Sequence, residues 1–294
     1  VTVLPPAGEP AADVAVTVDL VRSLLEEQHS DLAALPLHVV DSGWDNVMLR
    51  LGDELLVRMP RRLESVVCLE NEQRWLPHLA PLLPVAVPAP VRVGRPGCGY
   101  PYPWSVVPWL PGASAQERPL SAAGVRELAV FLRMLHRDAP PDAPHNPYRG
   151  TPVCSLRERF HERARRVAVM GIDLAAAARR FAAGLAAPVA SGRVWIHGDV
   201  HAGNVLVAED GALAAVIDWG DVAAGDPASD LAAAWLIADD PDDFFAVYGE
   251  VTPGLRERAG AWAAYFALMF LEADPPHQTR HAGMAKAALA RLSG

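Results

Sequence analysis

The chain has 294 residues, of which 51% are apolar and 21% charged, enough for one large or two moderate cores. Its formal net charge of −9 argues against nucleic acid as a partner and favours cationic small molecules, which a field of that sign attracts. No apolar run reaches the ~18 residues of a membrane span, and the first residues lack the basic and then apolar pattern of a signal peptide, so no membrane association and a cytoplasmic location are expected.

In chain order, residues 1–16 read as a loose tail, and Thr17 is an N-cap for a helix through about Leu35, with Leu20, Val21, Leu24, Leu25 and Leu32 on its apolar side. Strand-like runs follow at Leu37–Asp41, Val47–Leu51, Leu55–Met59, Val91–Val93 and Trp104–Trp109, with one helix over Ser65–Leu79 inserted among them. Proline- and glycine-rich connectors occupy 81–90 and 95–103, and Leu110-Pro111-Gly112 ends the last strand. Beyond it the chain turns helical. Ser121 caps a helix through Arg137, Ser155-x-x-Glu158 reads as a capping box, and Asp226-Pro227 and Thr252-Pro253 each pair an N-cap with proline at the first helical position.

The chemistry concentrates in His197-Gly198-Asp199, with Asn204 five residues after the aspartate and Ile217-Asp218-Trp219-Gly220 following. Two carboxylates and a carboxamide on short loops between apolar runs are what phosphoryl transfer from a nucleotide requires. Asp199 accepts, or orients, the proton of an attacking hydroxyl, while Asn204 and Asp218 offer hard oxygens to Mg²⁺. His197 is a scaffold. Arg193–Ile196 reads as a buried strand feeding this loop, and Asn204–Val207 and Leu213–Ile217 as a hairpin turning at Glu209-Asp210-Gly211, which carries Asn204 and Asp218 to the same end.

The order histidine-x-aspartate, asparagine, then aspartate-aromatic-glycine is similar to the protein-kinase catalytic signature. In the form HGDVHAGN, IDWG and GDPASDL it resembles the aminoglycoside phosphotransferase family of antibiotic and small-molecule kinases, over nearly the whole chain. The resemblance implies an α+β, bilobal, protein-kinase-like fold. A small N-terminal nucleotide-binding lobe with an antiparallel sheet and one helix would take residues 1–107, a hinge 108–112, and a larger, mainly helical catalytic and substrate-binding lobe 113–294. It further implies ATP or GTP as donor, Mg²⁺, and a small-molecule hydroxyl acceptor. The acid-rich composition tilts this towards a cationic antibiotic.

On the same likeness the loop Asp41-Ser42-Gly43-Trp44-Asp45-Asn46 covers the phosphates, with Ser42 and backbone N–H groups as donors. The Pro108 carbonyl and Leu110 N–H meet the base. The usual phosphate-holding lysine is missing, since Lys286 is the only lysine in the chain. Arg58 occupies its place, with Glu72 as partner and Glu70 as a second candidate. Asp230 braces the catalytic loop.

Some features invite other readings. Cys68, Cys98 and Cys154 are odd in number and widely spaced, which suits reduced structural thiols rather than a disulfide framework or a zinc site. Asp239, Asp240, Asp242, Asp243, Glu250, Glu272 and Asp274 are either a pocket for a polyamine sugar or solvated helix ends. His197-x-Asp199-x-His201 also suits a metal-dependent hydrolase, although the next histidine is His277. A kinase of an ordinary metabolite and a nucleotide-binding protein without activity are the remaining alternatives.

Overall fold

Period-two apolar runs bounded by turn residues build an antiparallel sheet in the first part of the computed structural model, which describes residues 11–43, 45–249, 251–273 and 280–293. The chain divides into two compact units, Val1–Pro81 with Ala86–Leu110 and Leu82–Val85 with Pro111–Gly294. In the first, β1 (Leu37–Ser42), β2 (Asn46–Leu51), β3 (Leu55–Pro60), β4 (Arg92–Gly94) and β5 (Trp104–Pro108) form one sheet in the order β1-β2-β3-β5-β4. Every neighbouring pair is antiparallel.

Helix α1 (Val18–Gln28) begins at Thr17, whose hydroxyl accepts from the Leu20 N–H. It lays Val21, Leu24 and Leu25 against Leu49, Leu51, Val57, Met59 and Trp104. Each such fully buried side chain contributes about 1.5–3 kcal/mol. The helix stops seven residues short of the expected Leu35. The turn formers Ser30 and Asp31 interrupt it, and Arg22 reaches across to donate to the Ala33 and Leu35 carbonyls, so the segment folds back while Leu32 and Leu35 still pack on the core. Helix α2 (Val66–Leu79) is joined to β5 by Gln73, whose amide donates to the Trp104 carbonyl and the Ser105 hydroxyl. At Gly94 a Cβ would lie 1.9 Å from the indole of Trp104, so only glycine lets β4 pass that ring.

The second unit holds β6 (Ala113–Ser114), α3 (Ala122–Leu135), α4 (Arg157–Ala168), α5 (Ala175–Ala186), β7 (Val194–Ile196), β8 (Val205–Val207), β9 (Leu213–Val216) and β10 (Ala223–Gly225). After these come α6 (Ala228–Leu231), α7 (Ala233–Leu236), α8 (Pro241–Tyr248), α9 (Pro253–Ala273) and α10 (Arg280–Leu292). β6, β8 and β9 form a three-stranded sheet, and β7 pairs with β10. Helix α9 is buried on nearly all sides, which is why its apolar residues show no single face. Among the described residues no helix is long and apolar enough to cross a membrane.

Two local expectations change here. Helix α3 ends at Leu135 rather than Arg137, because the Arg137 carbonyl is needed by the Trp195 N–H. The capping box does not form: a 3₁₀ turn over Val153–Leu156 runs into α4, and the Ser155 hydroxyl donates to the Pro152 carbonyl. Thr252 caps α9 as expected, accepting from the Leu255 N–H, whereas α6 begins one residue later than expected, with Pro227 before its first residue and Asp226 accepting from the Ala228 N–H. Cys98 and Cys154 are exposed free thiols. Trp44, Glu250, Asp274 and His277 lie outside the described residues.

Candidate active site

Strand β7 delivers the chain to His197, whose side chain is fully buried. Its Nε2 faces the Ile217 carbonyl at 3.0 Å and its Nδ1 accepts the Asp199 N–H at 3.2 Å. Nδ1 is therefore the unprotonated nitrogen and Nε2 the donor. Both nitrogens are engaged in holding two loops together, which agrees with a scaffold and leaves no lone pair for a metal. Asp230, also fully buried, accepts from the His197 N–H at 2.7 Å and the Gly198 N–H at 2.8 Å, and so braces the loop from its backbone. Behind it His136 Nε2 lies 3.2 Å from Asp230, and His136 Nδ1 lies 2.8 Å from the Tyr248 hydroxyl.

Burial pushes the Tyr248 phenol up to about 12, and the charges of Asp230 and Asp226 add to the effect. A phenol raised in the folded state contributes stability that is complete below its unfolded value near 10 and is lost as pH rises through the folded value. The thermal midpoint is expected to fall between about pH 10 and 12, and less steeply in Tyr248→Phe. Identical alkaline profiles for the two proteins would remove Tyr248 from that transition.

Asp199 is held at both oxygens. Arg149 Nη2 is 3.3 Å from Oδ1, while His201 Nε2 at 3.4 Å and Asn204 Nδ2 at 3.3 Å approach Oδ2. Burial alone would raise its carboxyl, but the neighbouring His201 and Arg149 outweigh that and hold it well below the usual carboxylate range. Asn204 Nδ2 also donates to the Asp199 carbonyl at 2.9 Å, so the carboxamide oxygen is the atom left to face a cation. The hairpin does bring the two motifs together: the Ile217 N–H donates to the Asn204 carbonyl at 2.9 Å. Asp218 is exposed and stands at φ +61°, a left-handed conformation that aspartate tolerates better than most residues. The next residue, Trp219, is fully buried, with its indole N–H on the Val216 carbonyl and its ring against His197 and Phe131. That anchor fixes the loop from which the Asp218 carboxylate projects.

Two members of this cluster carried no sequence signal. Arg149 and Asp221 lie outside every motif, yet Arg149 Nε is 3.3 Å from Asp221 Oδ2. Burial raises the Asp221 carboxyl, opposed by Arg149 and reinforced by Asp199. Gly198 stands at φ +90°, and a Cβ there would sit 2.7 Å from the Asp221 carbonyl oxygen, which accounts for glycine between the histidine and the aspartate.

In the first unit, Arg58 lies on β3, an interior strand, between Met48 and Ser105. Its Nη1 is 2.7 Å from Glu72 Oε2 of α2, and the two side chains are 8% and 2% exposed. Glu70 is exposed on the same helix, so burial selects Glu72 as the partner. Ser42 ends β1 and is buried. Its N–H donates to the Asp41 carboxylate and the Gly43 N–H to the Asn46 carbonyl, so these two loop donors are engaged locally. The loop is further held by Arg61 on the Gly43 carbonyl and by Arg62 and Ser65 on Asp45. At the end of β5 the Trp109 N–H donates to the Glu54 carbonyl at 2.7 Å. Alternation along an extended chain then turns the Pro108 carbonyl and the Leu110 N–H away from β3.

The acidic group does not assemble a cation pocket from its described members. Asp239, Asp242 and Asp243 pair with Arg291, Arg256 and Arg126, Asp240 caps α8, and Glu272 pairs with Arg163 and Arg166. Local arginines already neutralise what the sequence presents as an acidic patch.

The pattern that defines the phosphotransferase enzyme family matches residues 36–290. The chain belongs to that family. Its fold is the kinase-like α+β fold of solved family members. One similar structure is the GDP and kanamycin complex of APH(2")-IIia, at 19% identity and a TM-score of 0.64, covering 92% of this chain and 96% of that one. Another is macrolide 2'-phosphotransferase MphH from Brachybacterium faecium, at 24% identity and a TM-score of 0.58, covering 94% and 98%. A third is ADP-bound APH(2'')-Ib, at 15% identity and a TM-score of 0.57, covering 94% and 97%. No curated protein matches the sequence. The segments HGDVHAGN and IDWG both lie inside the matched region.

Proposed function

We propose that this phosphotransferase moves the γ-phosphate of ATP or GTP to a hydroxyl of a small molecule, with an antibiotic of aminoglycoside or macrolide type as the acceptor and resistance as the result. The observation that carries the reading is Asp199, ionised, gripped at both oxygens and tied through Asn204 and His197 to the loop bearing Asp218. A loose, highly charged transition state needs positioning and counter-charge more than covalent chemistry. Asp199 aims the acceptor hydroxyl and takes its proton. The donor set of Asn204 Oδ1 and the exposed Asp218 carboxylate fits Mg²⁺, which binds through one or two protein oxygens with phosphate and water completing its shell. Bound there, the ion would neutralise charge on the phosphates. Two solved neighbours with GDP or ADP bound support a nucleotide donor, and one holding kanamycin supports a small-molecule acceptor. The paired state of the acidic cluster gives a polycation no special advantage, so a macrolide stands level with an aminoglycoside.

Arg58 and Glu72 take the phosphate-holding role, Ser42 contributes a donor to the phosphates, and Pro108 and Leu110 meet the base. Arg58→Lys keeps the charge and is expected to hold nucleotide affinity within about tenfold, or ~1.4 kcal/mol. Arg58→Met leaves Glu72 buried without this partner and is expected to cost about 3–5 kcal/mol of stability as well as affinity. Titration of both variants with ATP and GTP decides; wild-type affinity in a folded Arg58→Met would remove Arg58 from the site. An inactive nucleotide-binding protein remains the competing reading, and the intact Arg58–Glu72 pair weighs against it. The decisive assay is nucleoside diphosphate release with Mg²⁺ over aminoglycosides, macrolides and small metabolites such as choline. Stimulation by a metabolite alone would replace the antibiotic reading, and nucleotide binding without stimulation would favour the inactive one.

A further inference from the structure

We infer that Arg149 is a positioning residue for phosphoryl transfer and that it acts as one unit with Asp221, an inference that rests on Asp199 being the carboxylate that meets the acceptor. The guanidinium bridges two loops, with Nη2 3.3 Å from Asp199 Oδ1 and Nε 3.3 Å from Asp221 Oδ2. It is 15% exposed and lies 5.4 Å over the ring of Phe266 on α9, so an apolar surface backs it. Asp221 is fixed from its other oxygen by the Asn146 amide at 2.7 Å. The backbone that carries Arg149 is itself pinned: the Pro144 carbonyl accepts the Ala224 N–H and the Gly150 carbonyl the Asp226 N–H, each at 2.8 Å. Gly198 leaves the room through which this bridge passes, since a Cβ there would come within 2.9 Å of Asp221 Cβ and 3.3 Å of Arg149 Cβ.

The consequence is mechanical. A carboxylate on an aspartate rotates broadly about its last torsion, and a base that samples many orientations meets the hydroxyl correctly in few of them. Asn204 and His201 hold one oxygen of Asp199; without Arg149 the other would be unrestrained by any charge on its side. Arg149 sets the plane, and Asp221 sets Arg149. Neither needs to touch substrate.

The test uses the full chain and follows nucleoside diphosphate release from ATP and GTP with Mg²⁺, with water, kanamycin and a macrolide as acceptors. Arg149→Met and Asp221→Asn are each expected to lower kcat about 10- to 100-fold, the scale of a small misplacement, while nucleotide and acceptor KM stay within about twofold. The double variant is expected to be no slower than the worse single one, because residues acting as a unit are not additive. It also removes both charges together, so it carries the test if a single variant fails to fold. Arg149→Lys should recover part of the rate. Multiplying losses in the double variant, or a raised acceptor KM at unchanged kcat in Arg149→Met, would overturn the inference. Asp199→Ala is measured alongside. An unchanged rate there would sink the assignment of Asp199 itself, whereas loss there with wild-type kcat in Arg149→Met would sink only the role of Arg149.

Discussion

Asp199→Ala is expected to lower turnover at least ~100-fold, the lower range for a positioned acid–base group, with nucleotide affinity little changed. Three restraints from different parts of the second unit converge on this carboxylate, Arg149 on one oxygen and His201 and Asn204 on the other. Arg149 and His201 hold its carboxyl well below the usual carboxylate range, so it is a weak base. In the proposed reaction its contribution would be to aim the hydroxyl and receive the proton late, as charge builds on the oxygen. The sign of the pH dependence follows. A depressed carboxyl stays competent throughout the range in which the protein is handled, and activity should not fall on its account until pH drops below the ordinary carboxylate range. Turnover near wild type in the alanine variant would remove Asp199 from the chemistry. An acid limb near pH 6 that disappears in Asp199→Asn would contradict the depressed carboxyl.

Asp218→Asn is expected to abolish the Mg²⁺ dependence of nucleotide binding while leaving the thermal midpoint nearly unchanged. Asparagine is the informative choice because position 218 has φ +61°. Asparagine accepts that conformation as aspartate does, whereas alanine there adds a strain of about 1–2 kcal/mol unrelated to the metal. The residue is exposed, and the anchor of the loop is the neighbouring indole of Trp219. Nucleotide titrations with and without Mg²⁺ measure the effect directly. Equal Mg²⁺ enhancement in wild type and variant would show that the ion is held elsewhere.

The features read correctly from the sequence are those whose causes lie within a few residues. The β8–β9 hairpin follows from two apolar runs around Glu209-Asp210-Gly211, and the Thr17 and Thr252 caps from a hydroxyl three residues before the N–H they accept. The same local logic failed at Ser155, where a 3₁₀ turn competed for the hydroxyl, and at the end of α1, where Arg22 drew the chain back. Membership of the phosphotransferase family was also legible, because the signature is a set of chemically necessary residues in fixed order.

Only the tertiary structure decided how charges pair. Arg149 meets Asp199 across 50 positions of chain, and Arg126 meets Asp243 across 117. Nothing in composition says which of the chain's arginines faces which carboxylate, and charge partners are selected by the folded backbone. For that reason an acidic cluster that looked like a binding surface is matched by its neighbours, while an arginine without a motif stands beside the proposed catalytic aspartate.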